Sequence, residues 1–203
     1  MDEVKSQLRK IVKERLSAIP QEKKQELSYL VCEKILSSVQ YKNARAILSY
    51  IPLVNELDVS LVNKRALADK KVLAFPKCVC LSDQPLRNSL DFYVVDAMRP
   101  LSSQVVQGFL CKEPDVMRLE KFQPASFNNH MLVLVPGLAF SADGKRLGRG
   151  KGYYDGFLNE LKEQKLHAYL LGVCFGDQIF EDIPCQSHDM RLNAIVQSPL
   201  SKQ

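Results

Sequence analysis

The chain has 203 residues, of which 46% are hydrophobic and 25% charged, and its formal net charge is +5. This length and composition predict a single domain spanning 1–203, with a substantial apolar core. No apolar run approaches the ~20 residues of a membrane span, and the N-terminus shows no secretion signal. We therefore expect a soluble cytoplasmic protein whose mild basic charge permits an anionic ligand without requiring nucleic acid.

The first forty residues, 1–40, predict two amphipathic helices that pack on an α/β core. Lys5, Arg9 and Lys13 follow one another at i, i+4 along one face of the first helix. A basic row of this kind is usually the solvated side of a helix. Pro20 is well placed to open the second helix.

Beyond Arg45, short apolar runs alternate with helical patterns. This alternation predicts an α/β fold, a three-layer Rossmann-like sandwich in which a mostly parallel sheet is covered by helices on both faces. Ligands of such folds bind beyond the carboxyl ends of the strands, and there the loops carry Glu56, Lys77 and Asp177. The predicted strands are 46–51, 72–75, 90–95 (an edge), 131–135, 168–173 and 193–196.

Asp58 is predicted to cap a helix that continues to Leu67.

The segment 97–129 is poorly periodic and rich in Gln, Ser and Pro, so we predict a long irregular connection there. Such a connection is uncommon in a compact domain unless it has a function, such as covering a site.

Cysteines are scattered along the chain without a CxxC pair or zinc-ligand spacing. Reduced structural thiols are the favoured interpretation in the absence of a secretion signal. A catalytic cysteine is the less favoured one, since no histidine pairs with a cysteine in a recognisable pattern. The cysteines are Cys32, Cys78, Cys80, Cys111, Cys174 and Cys185.

The most informative stretch follows the strand Met131–Val135. After a turn at 141–144, the segment 145–155 holds four cations and three alternating glycines, and a helical pattern begins near the third glycine. Glycines let main-chain N–H groups approach an anion, and the N-terminus of the next helix adds partial positive charge. The order of strand, glycine-rich basic loop and helix therefore predicts a phosphate-binding site, although the loop is neither a Walker-A motif nor a GxGxxG turn. A solvated flexible loop is the alternative.

Acidic residues near this loop suggest a metal. Asp155 ends the loop, and Mg²⁺ usually takes one or two carboxylates together with phosphate oxygens. His188 and Asp189 supply a second acid that could face the first across the metal. A histidine beside an aspartate in a loop is, however, more often a surface pair.

These residues resemble the signature of the 5-formyltetrahydrofolate cyclo-ligase family, also called methenyltetrahydrofolate synthetases. The resemblance is carried by 135–140, Gly144 and 146–155, with the core sequence GRGKGYYD. Weaker matches extend it over nearly the whole chain, and they are Lys5, Arg9, Glu56, 75–77, Pro184, His188 and Asp189. The chain departs from the pattern at Ser141 and Asn193, where many members have an acid, and in the stretches 78–90 and 97–129.

The resemblance implies a ligase of one-carbon metabolism that uses ATP and Mg²⁺. It would convert 5-formyltetrahydrofolate to 5,10-methenyltetrahydrofolate through a phosphorylated formyl group, an iminium phosphate, and release ADP and phosphate. Phosphoryl transfer asks a protein mainly for positioning and charge neutralisation. Both substrates are small molecules, and we expect a monomer without nucleic-acid or membrane partners.

The resemblance also implies site residues. Its ATP contacts are Lys5, Arg9, Arg146, Leu147, Gly148, Arg149, Gly150, Lys151, Gly152, Tyr153 and Tyr154. Its folate contacts are Ile51, Glu56, Arg149, Gly150, Lys151, Gly152 and Tyr153. The metal-associated acids are Asp155 and Asp189. We expect Arg149 and Lys151 to be catalytic by stabilising the transferring phosphoryl group.

Two other functional classes remain open from the residues alone. A sugar-phosphate isomerase or CoA-transferase-type enzyme could use this sheet architecture with Glu56 as a base, and it would need neither ATP nor Mg²⁺. An RNA- or nucleotide-binding module would use the basic loop electrostatically, with affinity that falls steeply with salt. The moderate net charge and the lack of an RNA-module aromatic pattern disfavour that module.

Overall fold

A computed structural model describes residues 2–80, 88–96, 102–106, 109–114, 117–185 and 190–202. The helices are α1 (Asp2–Ala18), α2 (Gln21–Ser37), α3 (Val39–Asn43), α4 (Ser60–Ala68) and α5 (Tyr153–Glu163). The strands are β1 (Ala46–Leu48), β2 (Val72–Cys80), β3 (Asn88–Val95), β4 (Ser102–Val106), β5 (Phe109–Glu113), β6 (Met131–Val135), β7 (Ala139–Phe140), β8 (Arg146–Leu147), β9 (Ala168–Cys174) and β10 (Ala194–Gln197). Across the described ranges, none of the helices has the length and hydropathy of a membrane span.

The main sheet has six strands in the order β10-β9-β6-β1-β2-β3. Every neighbouring pair is parallel except β2 and β3, which are antiparallel. The predicted α/β fold with a mostly parallel sheet is thus confirmed, and β3 occupies the predicted edge.

Helices cover both faces of this sheet because the central strands are apolar on both sides. In β6, Leu132 and Leu134 belong to the core beneath α1, α2 and α4, whereas Val133 and Val135 face the core of α5. All five residues of β6 are buried, as expected for a strand inside a parallel sheet. This arrangement is the predicted three-layer sandwich.

The segment 97–129 is not wholly irregular, and that part of the prediction is wrong. Strands β4 and β5 pair as an antiparallel hairpin within it, and Lys121 forms an isolated bridge to Tyr93 of the edge strand. The sequences SSQVV and FLCKE of β4 and β5 lack the strict alternation of polar and apolar residues by which a half-buried strand is recognised.

Strand β2 also runs beyond Pro76, where the sequence predicts its end. Its pairing with β1 stops at Ala74, so among the described residues β3 is its one ladder partner beyond that point, with Pro76 in register with Phe92. A residue without an N–H is tolerated where one side of a strand is unpaired. Asp58 is not the N-cap of α4 as predicted, since that position is Val59 and has no side-chain cap, but its Oδ1 accepts from the N–H of Ser60, the first residue of the helix, at 2.8 Å.

Candidate active site

A cavity of about 180 Å³ opens beyond the carboxyl ends of β1 and β6 and beside the second half of β2. Much of its wall is apolar and is formed by Tyr50, Ile51, Leu53, Pro76, Leu90 and Pro136. Its charged groups are Glu56, Glu113, Arg146, Arg149, Lys151 and Asp155. The site therefore lies where an α/β fold places it, and it combines apolar surface with charges of both signs.

The glycine-rich loop turns sharply before α5. Gly150 and Gly152 have φ angles of +91° and +72°, a region that residues with a Cβ rarely adopt. Gly152 precedes the first residue of α5 and contributes no side-chain cap to that helix end. Because the first N–H groups of a helix have no intrahelical acceptor, the loop brings main-chain donors to this end of the cavity.

Helix α1 reaches this loop from the far end of the sequence. Arg9 donates from Nε to the carbonyl oxygen of Gly148 at 3.1 Å. Its guanidinium also lies against Gly150, so closely that a Cβ there would be 3.4 Å from Arg9 Cζ. Lys5 lies one helical turn before Arg9. Arg9, which the resemblance assigns to the ATP site together with the glycine loop, thus contacts that loop directly.

Arg149 and Glu56 form an ion pair across the cavity entrance. Nε and Nη2 of Arg149 donate to Oε1 of Glu56 at 3.0 and 2.8 Å. The other carboxylate oxygen, Oε2, accepts from the main-chain N–H of Leu53 at 3.0 Å. The side chain of Glu56 is only 10% exposed. The structure therefore links the loop after β1 with the glycine loop, although the two residues are 93 positions apart.

The loop after β1 is also held from outside by α2. Lys24 donates from Nζ to Oδ1 of Asn55 at 2.6 Å, and Asn55 has a positive φ of 70°. Lys24 is buried, and this burial lowers the pKa of its ammonium group. The contact fixes the backbone immediately before Glu56.

The buried side chain of Arg146 connects the glycine loop with the elements on either side of it. Its Nη2 donates to Oδ1 of Asp155 at 2.5 Å, and its Nη1 donates to the carbonyl oxygen of Pro136 at 3.3 Å. The guanidinium carbon lies 5.6 Å from the ring centroid of Tyr154, and the side chain is 6% exposed. Arg146 therefore connects the residue after β6 with the first turn of α5. The resemblance assigns Arg146 to ATP binding and Asp155 to the metal, and the two side chains contact each other.

Tyr154 contributes a buried hydroxyl to the same cavity. Among the residues that the structure describes, this hydroxyl has no hydrogen-bond partner. Burial raises the pKa of Tyr154, the negative charge of Glu56 raises it further, and the charge of Arg146 opposes these effects. The group is therefore a neutral phenol that can donate a hydrogen bond to a ligand.

Lys151 is exposed and lines the cavity. Its carbonyl oxygen accepts from Nδ2 of Asn88 at 2.7 Å, so the start of β3 holds the loop. A Cβ on Gly156 would lie 2.1 Å from the carbonyl oxygen of Asn88. This close approach explains why a glycine lies within α5.

Of the two predicted metal acids, one lies among the described residues. Asp155 lies in the first turn of α5, whereas His188 and Asp189 fall outside the described residues. Within the described ranges, no group of three or more His, Cys, Asp or Glu residues could hold a metal ion.

Other charged residues singled out from the sequence face elsewhere. Lys145 is held by Asp182 at 2.6 Å and by Asp143 at 3.3 Å, and these carboxylates raise the pKa of its ammonium group. Asp177 accepts from the N–H and hydroxyl of Ser201 and so fastens the C-terminal segment. Neither Lys145 nor Asp177 lines the cavity.

Glu113 was missed by sequence reasoning. It ends β5, it is buried, and it lines the cavity. No local pattern marks it, because it lies in the segment that the sequence predicts to be irregular.

Comparisons with known proteins agree with one another. A sequence model of the 5-formyltetrahydrofolate cyclo-ligase family matches residues 1–198. The 5-formyltetrahydrofolate cyclo-ligase of Mus musculus is 27% identical over 197 residues, which cover 97% of this chain and 94% of that protein. The enzyme of the same name from Saccharomyces cerevisiae is 26% identical over 206 residues, with 95% and 94% covered.

Two solved structures are similar in fold. The 5,10-methenyltetrahydrofolate synthetase of Aquifex aeolicus has a TM-score of 0.73 and 27% identity, with 98% of this chain and 91% of that chain covered. The synthetase of Mycoplasma pneumoniae has a TM-score of 0.68 and 23% identity, with 95% and 97% covered, and this likeness concerns the fold alone.

Proposed function

This chain belongs to the 5-formyltetrahydrofolate cyclo-ligase family and is a ligase, and from that premise we propose that it converts 5-formyltetrahydrofolate to 5,10-methenyltetrahydrofolate while ATP is converted to ADP and phosphate. The observation that carries the proposal is the Arg149–Glu56 ion pair. It joins a phosphate-binding type of loop to the wall of an apolar cavity. One site can thereby hold a nucleotide's terminal phosphate beside a flat organic substrate.

The chemistry requires activation of a formamide. The formyl oxygen on N5 is a poor leaving group, so it first attacks the γ-phosphorus of ATP, and the bond to ADP breaks. The resulting iminium phosphate has an electrophilic carbon. N10 attacks this carbon, the C–O bond breaks, and inorganic phosphate leaves together with the N10 proton. The reaction needs no covalent attachment to the protein.

Arg149 and Lys151 are the catalytic residues in this proposal. Their full charges line the cavity and would act on the oxygens of the phosphoryl group during transfer. A guanidinium can grip two such oxygens at once. In the structure Arg149 directs two donors, Nε and Nη2, at a single carboxylate oxygen of Glu56. Phosphate binding would therefore compete with Glu56 for Arg149.

The remaining ATP contacts are the other members of the glycine loop with Lys5 and Arg9. The main-chain N–H groups at the start of α5 support a phosphate position near Gly152 and Tyr153. Arg9 supports it from a second element, because it already binds the loop carbonyl of Gly148. Ile51, Glu56 and the loop residues 149–153 would contact the folate.

Mg²⁺ is expected to accompany ATP. It is usually bound through one or two carboxylates together with substrate phosphates, and Asp155 provides a carboxylate that is 37% exposed at the cavity wall. The donors fit a cation shared with phosphate, held by Asp155 and, as the sequence implies, by Asp189. When bound, the cation would neutralise phosphate charge, and Arg146 would exchange its carboxylate partner for a phosphate oxygen.

The direct test is an absorbance assay. The purified chain is incubated with 5-formyltetrahydrofolate and Mg²⁺, with and without ATP, and the absorbance of the methenyl product is followed. We expect product only when ATP is present, with one ADP per product. ATP-independent turnover of the folate, or no turnover in either mixture, would overturn the proposal.

A further inference from the structure

One face of α2 holds the loop after β1 through three buried polar side chains that follow one another at every fourth position. Lys24 donates from Nζ to Oδ1 of Asn55 at 2.6 Å. Oγ of Ser28 accepts from the N–H of Asp58 at 3.1 Å, and Sγ of Cys32 donates to the Asp58 carbonyl oxygen at 3.3 Å. Residues four apart lie on the same face of a helix, so this face of α2 holds the loop at two points.

Lys24 occupies a position that is unfavourable for a cation. Its side chain is buried, and the loss of water lowers the pKa of its ammonium group. It also lies among the first four residues of α2, where the helix dipole disfavours positive charge. A neutral side chain would avoid both effects. The presence of a lysine therefore indicates that its charge serves the short hydrogen bond to Asn55.

Asn55 connects this contact with the cavity. Its φ is +70°, in a region that asparagine tolerates better than most residues. It is the third residue of a turn in which the N–H of Glu56 donates to the carbonyl oxygen of Leu53 at 2.9 Å. Oε2 of Glu56 in turn accepts from the N–H of Leu53. The turn therefore fixes the carboxylate of Glu56, and Lys24 holds that turn from α2.

We propose that Lys24 is a positioning residue for folate binding, which holds the Glu56 carboxylate at the cavity wall through Asn55. The inference rests on the proposed function, in which Glu56 contacts the folate. Lys24 does not itself line the cavity, so it acts through the turn. Its loss should weaken the folate complex without weakening the nucleotide complex, because displacement of Glu56 leaves Arg149 free to bind phosphate.

The first experiment is calorimetric titration of Lys24→Met, which keeps the length of the side chain and removes its charge. The folate is titrated with a non-hydrolysable ATP analogue and Mg²⁺ present, and the ATP analogue is titrated alone. We expect about tenfold weaker binding of 5-formyltetrahydrofolate, as for loss of one hydrogen bond from a charged donor, and no loss of affinity for the ATP analogue.

Lys23→Met is the matched control. It removes the same charge from the neighbouring residue of α2, whose ammonium group pairs with Glu26 at 3.2 Å. This variant should bind both ligands as the wild-type protein does.

Substitutions of Asn55 show whether Lys24 acts through it. Asn55→Gly keeps the positive φ accessible and removes the acceptor, so it should weaken folate binding by about tenfold as well. Its combination with Lys24→Met should weaken binding no further. Asn55→Asp keeps an acceptor for Lys24 but, like glycine, loses the donor to Oγ of Ser17, and it should retain wild-type folate affinity. Losses that multiply in the double variant would overturn the inference.

The outcomes separate this inference from the function on which it rests. If the wild-type protein does not bind 5-formyltetrahydrofolate, the proposed function fails. If it does, and Lys24→Met binds the folate equally well or loses affinity for both ligands alike, only the inference fails, because equal losses indicate a role in stability alone. If Lys24→Met does not fold, the Asn55 variants decide, since equal folate affinity of Asn55→Gly and Asn55→Asp would overturn the inference.

Discussion

The charged side chains of the cavity form two groups: those that form ion pairs and those that are available to a substrate. Arg146 and Arg149 each hold a carboxylate, whereas the side chain of Lys151 is exposed at the cavity rim. Function and stability should therefore separate most clearly at Lys151.

Replacement of Lys151 is expected to affect catalysis far more than folding. Loss of one preorganised charge at a transferring group lowers kcat by about 10²–10³-fold. An exposed substitution should change the free energy of unfolding by less than about 0.5 kcal/mol. Steady-state kinetics and urea denaturation of Lys151→Ala, with the exposed Lys162→Ala as control, measure both. Near wild-type kcat would remove Lys151 from the mechanism.

Replacement of Tyr154 should increase the stability of the substrate-free protein and weaken folate binding. A buried hydroxyl without a partner costs about 1–3 kcal/mol, so Tyr154→Phe is expected to stabilise the substrate-free protein by about 1 kcal/mol. The same change should weaken folate binding by about tenfold, because a donor is lost. Denaturation and calorimetry test the two effects, with exposed Tyr29→Phe as control. Destabilisation with unchanged folate affinity would contradict this account.

Replacement of Asp155 should affect both the stability of the protein and the Mg²⁺ dependence of its activity. Asp155→Asn leaves the buried guanidinium of Arg146 without its anionic partner, and since Asp155 is partly exposed we expect a loss of about 1–2 kcal/mol. The variant should also need a higher Mg²⁺ concentration for half-maximal activity. Thermal unfolding and an Mg²⁺ titration provide the two measurements. An unchanged Mg²⁺ requirement would make the residue purely structural.

At the scale of elements, the site depends on how α5 begins and what lies beside it. Gly152 is needed for its backbone conformation, since a Cβ there would meet nothing within 4 Å while φ is +72°. Gly156 is needed for space, because β3 passes directly beside it. The two glycines thus meet different physical requirements one helical turn apart.

Two alanine substitutions should reveal that difference. Gly152→Ala is expected to cost about 1–2 kcal/mol, the usual cost of a left-handed conformation. Gly156→Ala would place its Cβ 2.1 Å from the Asn88 carbonyl oxygen, and overpacking against backbone should cost about 2–3 kcal/mol. Chemical denaturation of both variants gives the comparison, and Gly152→Asn should recover part of the loss because asparagine tolerates this region. Equal, small effects at both positions would contradict the packing described.

Over the whole molecule, features encoded by neighbouring residues could be predicted from the sequence, whereas contacts between residues far apart in the sequence could not. The order of strand, glycine-rich loop and helix predicted the site at 145–155, because that information is local. Arg149 and Glu56 could be associated only through the general position of loops at strand ends. No pattern in the sequence indicated that Arg146 and Asp155, nine positions apart, contact each other.

The position of Glu113 in the cavity could not be predicted from the sequence. Its burial depends on a two-stranded hairpin and on an N–H donated by β2, and neither leaves a periodic pattern in 97–129. Beyond Ala74, the extension of β2 depends likewise on its partner β3. Tertiary pairing, rather than local propensity, determines both features.

The central claim is that one cavity brings ATP's terminal phosphoryl group to the formyl oxygen of the folate. The most direct test uses 5-formyltetrahydrofolate labelled with ¹⁸O in the formyl group, with ³¹P NMR of the phosphate released during turnover. We predict that each phosphate carries one ¹⁸O atom, because the formyl oxygen leaves as part of it. Release of unlabelled phosphate alongside methenyl product would contradict the account.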